Sequence, residues 1–152
     1  PIYGIIMVSG VAFGPSTGFF VGAISALASN FLFGQGPWTP WQMLGYGLGG
    51  LVFGLLARTG VLPQGRWTPR RKALGCVLGF LVAFLVCGPV LDTSSLFFML
   101  SCITPEGVLA IYAAGVPANA LQGVATAATL FLLANPLLAK LDRLCTKYGV
   151  GE

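Results

Sequence analysis

Histidine is absent from this 152-residue chain, and charge is scarce: eight Lys and Arg and four Asp and Glu make up 8% of it. Without His the commonest metal ligand and the usual general base are missing. No G-x-x-x-x-G-K-[ST] occurs, which excludes ATP binding by a phosphate loop. The cysteines, Cys76, Cys87, Cys102 and Cys145, form no C-x-x-C pair. Cys76, Cys87 and Cys145 read as small apolar residues in or beside helices, and no disulfide framework is expected. A soluble surface needs about 25% charged residues, and this inventory cannot build one.

What remains is grease and punctuation. Hydrophobic residues make up 56% of the chain and mean hydropathy is +0.87. Residues 1–152 therefore read as a single all-α membrane domain, a polytopic helix bundle. A spanning helix needs about 20 mostly apolar residues. Hydropathy and Gly/Pro breaks predict five segments: Ile2 to Phe13, Thr17 to Phe33, Pro40 to Ala57, Lys72 to Leu91, and Pro117 to Leu138 with an amphipathic tail. Pro40 and Pro117 suit a helix's first turn, where a missing N–H costs nothing. The stretch Asp92–Val116 reads as irregular loop and short helix.

Charge orients the bundle. Arg58, Arg66, Arg70, Arg71 and Lys72 border one loop, and Lys140, Arg143 and Lys147 follow the last segment. Two crossings separate the groups, so they share a side, and the positive-inside rule makes that side the cytoplasm. The expected topology is a multi-pass protein of a bacterial cell membrane. Loop 58–72 and the C-terminus are cytoplasmic; loops 34–40 and 92–116 are extracellular. The parity puts Pro1 outside and predicts one further helix upstream, six in all.

The outer side then carries acids only, Asp92 and Glu106, beside two clusters of aromatic and amide side chains. The first is FGQGPWTPWQ, Phe33 to Gln42, with Gln35, Trp38, Thr39, Trp41 and Gln42. Helical spacing puts Gln42 and Tyr46 on one face, with Asn30 one turn before the end of the preceding segment. The two Trp residues fit either interfacial anchoring or a ligand surface. The second cluster is Tyr112, Asn119 and Gln122, whose amides either pair between helices or face a cavity. Asp92 is a candidate acceptor. Gly18, Gly22, Ala26 and Asn30 repeat at four-residue spacing, as do Gly50 and Gly54. Such faces chiefly pack a bundle and otherwise meet a membrane partner.

The stretch GPSTGFFVGAISALASNFLFGQGPWTPWQM, Gly14 to Met43, resembles the substrate-binding S subunits of energy-coupling factor (ECF) vitamin transporters. So do the P-x-x-x-I-x-x-x-x-G-x-x-F-G-P opening, Pro1 to Pro15, and the tail N-P-L-L-A-K-L-D-R, Asn135 to Arg143. Within the family, the W-T-P-W-Q-M loop most resembles the cobalamin-type branch. The resemblance implies a six-helix subunit that binds one vitamin at its outer face. It also implies a membrane coupling protein and two cytoplasmic ATPases as partners, with ATP used by those partners and no cofactor in this chain. The family's coupling surface maps to Gly18, Gly22 and Ala26.

Side-chain chemistry narrows the ligand. An anionic vitamin would find no outer Lys or Arg, and an unpaired buried anion is costly. A neutral, amide-rich or heterocyclic guest fits better: cobalamin, another neutral vitamin or a modified nucleobase. Trp38 and Trp41 would stack or wall the site, Gln35, Thr39, Gln42, Asn119 and Gln122 would hydrogen-bond, and Tyr46 and Tyr112 would line it. A membrane enzyme is disfavoured because the cores of the later segments carry no acid. A non-binding structural subunit is the remaining rival, and nothing points to a nucleic-acid partner.

Overall fold

The computed structural model describes residues 2–62, 66–99 and 104–149. Residues 63–65 and 100–103, the latter including Cys102, lie outside the described residues. Six α-helices follow one another: α1 Ile2–Phe13, α2 Pro15–Phe33, α3 Thr39–Arg58, α4 Pro69–Val82, α5 Gly88–Met99 and α6 Pro105–Tyr148. A π-helical turn, Ala83–Cys87, joins α4 to α5 in one rod. Its cause is local. Pro89 has no N–H to give the ladder and its ring crowds the preceding turn. The wider turn relieves this, and the Gly88 N–H reaches the Ala83 carbonyl in the i→i+5 pattern.

The chain is an all-α membrane bundle. Among the described residues, three helices are long and apolar enough to cross a membrane: Pro15–Phe33, the rod Pro69–Leu96, and Pro105–Tyr148. Phe20, Ile24, Phe31, Leu85, Leu121 and Leu132 all stand exposed along them, an apolar surface that suits lipid, not water. Helix α3 has the length, 20 residues, but five glycines dilute its hydropathy. Helix α1 has only 12 residues, about 18 Å at 1.5 Å per residue. It is instead the buried centre, with Tyr3, Met7, Val8 and Val11 at the core together with Phe53, Cys87 and Leu130.

The region expected to be irregular is helical where described. Asp92 to Met99 completes α5, and Pro105 to Val116 forms the first turns of α6. Thr93 and Ser94 turn their hydroxyls onto the Pro89 and Leu91 carbonyls, 2.7 and 2.6 Å away, and so satisfy themselves within the helix. Thr104 accepts from the Gly107 N–H at 3.1 Å, with Pro105 and Glu106 in the first turn. That is a complete N-cap. Pro117, expected to start a helix, lies inside α6.

Helices α1, α2 and α3 meet through glycine. A Cβ on Gly50 would stand 2.1 Å from the Gly18 carbonyl oxygen, and one on Gly22 would stand 2.4 Å from that of Tyr46. Gly10 likewise abuts the Gly50 carbonyl. Gly18 and Gly22 are buried in this seam, and Ala26 on the same helix is buried too.

Candidate functional site

Successive contacts fix which residues share an end of the bundle. Asn30 meets Gln42, Gly45 lies beside Cys87, Val90 and Leu91, and Gly88 faces the Asn119 side chain. At the other end Lys72 sits over the Phe131 ring at 4.7 Å, and Asn135 bonds the Trp67 peptide. Both basic segments therefore gather at one end. Both aromatic–amide clusters gather at the other.

The first cluster is organised by Thr39, which is buried although it opens α3. Asn30 donates its amide to Gln42 Oε1 at 2.7 Å and to Thr39 Oγ1 at 3.3 Å. The Thr39 hydroxyl donates to Gln35 Oε1 at 3.1 Å and accepts from the Gly36 N–H at 3.4 Å. The Thr39 N–H returns to the Gly36 carbonyl at 3.0 Å. These bonds close the loop between α2 and α3 into a rigid cap. Gly34 has φ 120°, a conformation suited to glycine. The Trp38 ring folds over Gly36, 2.4 Å from where a Cβ would be. Trp38 is 42% exposed at this end, and Trp41 is half-buried.

One turn further in, Tyr46 meets Tyr3 edge-on, ring centroids 4.7 Å apart. The Tyr3 hydroxyl is buried without a hydrogen-bond partner, an arrangement that costs free energy unless something polar reaches it. Beside these rings the Cys87 thiol donates to the Gly45 carbonyl at 3.1 Å. The π-turn thus abuts the site, as such turns often do.

The second cluster joins α5 to α6. Asn119, 9% exposed, donates to Asp92 Oδ2 at 2.8 Å. Thr93 and Tyr112 lie 2.8 Å apart. Because the Thr93 proton goes to Pro89 O, the Tyr112 hydroxyl is the donor. Gly115 and Gly88 make room for the Asp92 carboxylate and the Asn119 amide. Gln122, expected beside Asn119, is half-buried, and only its carbonyl enters the described hydrogen bonds.

The structure thus places Asn30, Gln35, Thr39 and Gln42 together and Asp92 with Asn119, and adds Tyr3 and Thr93, which the sequence reading did not single out. No group of three or more potential ligands for a metal occurs among the described residues. What the arrangement offers a guest is ring faces, amides, hydroxyls and one carboxylate, at an end holding no described cation.

An apolar-surfaced helix bundle with one aromatic, hydrogen-bonding end defines the class of polytopic membrane proteins. The chain belongs to the family of the ECF-type riboflavin transporter S component, whose model matches residues 1–142. It is accordingly a transport subunit and not an enzyme. Neither a curated protein nor a solved structure matches it.

Proposed function

We propose that the chain captures a neutral vitamin at its aromatic–amide end and that riboflavin is the favoured guest. The carrying observation is the Thr39-centred network beside Trp38, Trp41 and Tyr46, at the same end of the bundle as the Asp92–Asn119 pair, where no described cation lies. An isoalloxazine is flat and uncharged, with imide and carbonyl groups for Gln35, Gln42 and Asn119 and a polyhydroxyl chain for Asp92 and Tyr112. The riboflavin name of the matching family supports the same choice. Cobalamin is the second reading, favoured by the W-T-P-W-Q-M loop and by its many carboxamides.

The basic end is cytoplasmic on the positive-inside rule, so capture is from outside. A membrane coupling protein and two ATPases complete the importer in a bacterial cell membrane. The packing of Gly18 and Gly22 against α3 favours docking of the coupling protein on other surface. A non-binding subunit is the rival reading, because the same hydrogen bonds would serve as staples between helices.

Titration of the purified full chain with riboflavin, followed by flavin and tryptophan fluorescence, tests the proposal, with cobalamin absorbance as the parallel arm. Trp38→Ala should weaken binding about tenfold, the order of one lost aromatic contact, and leave the helical circular dichroism unchanged. Binding of neither vitamin favours the staple. Undiminished affinity in the variant removes Trp38 from the site.

A further inference from the structure

A groove between α4 and α6 starts at the basic end and runs toward the middle of the bundle. Its mouth is a cavity of about 510 Å³ bounded by Arg66, Trp67, Thr68, Lys72, Phe131 and Asn135, among others. Further along lies a second cavity of about 290 Å³, bounded by Cys76, Val77, Phe80, Leu81 and Ala127. Positions 72, 76 and 80 are successive turns of α4, and 135, 131 and 127 are successive turns of α6. The two cavities therefore lie along one line between the same pair of helices.

The mouth is built and it is positive. Asn135 accepts from the Trp67 N–H at 2.8 Å and donates to the Trp67 carbonyl at 3.2 Å, while the Trp67 ring is buried against Gly75. This clasp fixes the segment that carries Arg66 and Thr68. Thr68 caps α4, whose N-terminal dipole adds partial positive charge. Arg71 is committed elsewhere, to the Gly60 and Val61 carbonyls. Lys72 rests on the Phe131 ring, and among the described residues no carboxylate pairs with it or with Arg66.

Beyond the mouth the groove turns apolar. Val77, Leu81 and Phe131 are 57%, 41% and 57% exposed, and the Cys76 thiol is turned onto the Ala127 carbonyl at 3.3 Å. An occupant of the whole groove needs an anion at one end and hydrocarbon along the rest. A soluble phosphate would leave the trough unfilled, and a zwitterionic lipid would leave the two cations without a net countercharge.

We propose that the α4–α6 groove binds an anionic phospholipid, its phosphate at Lys72 and Arg66 and one acyl chain along Val77, Phe80 and Leu81. The lipid comes from the leaflet at the basic end. Long basic side chains at that depth reach headgroups while their stems stay in the apolar zone.

Native mass spectrometry of the full chain with phosphatidylglycerol or phosphatidylcholine of matched acyl chains tests this. One phosphatidylglycerol should be retained preferentially. Lys72→Gln should weaken retention about fivefold, the contribution of one basic residue at a membrane surface, and Lys72→Arg should restore it. Leu81→Trp, which fills the trough without touching charge, should also weaken retention. Arg143→Gln, at the same end but outside the groove, should have no effect. Equal retention of the two lipids overturns the proposal. Displacement of the lipid by millimolar inorganic phosphate, or insensitivity to both Lys72→Gln and Leu81→Trp, also overturns it. So does a copurifying polypeptide in place of the lipid.

Discussion

Asn119 on α6 donates its side-chain amide to Asp92 on α5 at 2.8 Å, joining positions 27 residues apart in the chain. The Asp92 side chain is the acceptor of the pair, with Oδ2 engaged by the Asn119 amide. That suits a guest offering hydroxyl or N–H donors.

Replacing Asp92 by Leu should strand the Asn119 amide in a buried position. The expected loss is about 1–3 kcal/mol of stability, visible as a lower melting temperature, together with weaker vitamin binding. Asn119→Asp sets two carboxylates face to face. Its stability should be depressed at neutral pH and recover on acidification, since a shared proton relieves the repulsion. A flat stability profile from neutral to acid pH would show that the two groups are not in contact.

The glycine seam predicts a sharp contrast between neighbours on α3. Gly50→Ala drives a methyl to 2.1 Å from the Gly18 carbonyl oxygen, against backbone that cannot rotate away. Destabilisation of about 3 kcal/mol or more is expected, at the upper end of overpacking costs. Gly45→Ala meets nothing nearer than 3.6 Å and should be tolerated within about 1 kcal/mol, helped by the better helix propensity of alanine. Thermal unfolding in detergent separates the two.

Thr39→Val tests the loop cap. The shape is nearly kept, but the hydroxyl that accepts from Asn30 and Gly36 and donates to Gln35 is gone. Hydrogen exchange at residues 34–38 should accelerate and vitamin affinity should fall by about tenfold, as expected for one lost buried hydrogen-bond set. The α1–α3 core should keep its protection. Unchanged exchange in the loop would mean that Thr39 does not organise it.

Much of the bundle was legible in the sequence because lipid imposes a coarse rule that hydropathy reads directly. α1 runs over the expected Ile2 to Phe13, and α2 and α3 start within a turn of expectation. Asn30 and Gln42 were readable as neighbours because helical spacing aims both at the loop between them. The start of α6 was misplaced because two prolines compete for it. Pro117 follows an apolar run, whereas Thr104-Pro105-Glu106-Gly107 carries the stronger capping chemistry but lies in a stretch that resembles a loop. The Asp92–Asn119 and Tyr3–Tyr46 contacts were out of reach, since they depend on how whole helices are rotated against each other. The role of Gly18 and Gly22 was undecided for a similar reason: a small-residue face looks alike whether its partner is the next helix or another protein.

The seam between α2 and α3 also determines which half of the molecule yields. Side chains in contact absorb an ångström of drift by changing rotamer; a carbonyl oxygen resting on a glycine α-carbon has no such freedom. The first three helices consequently travel as one stiff plank. Compliance belongs to the opposite half, where a widened turn ahead of Pro89 and the prolines inside α6 interrupt the regular ladder.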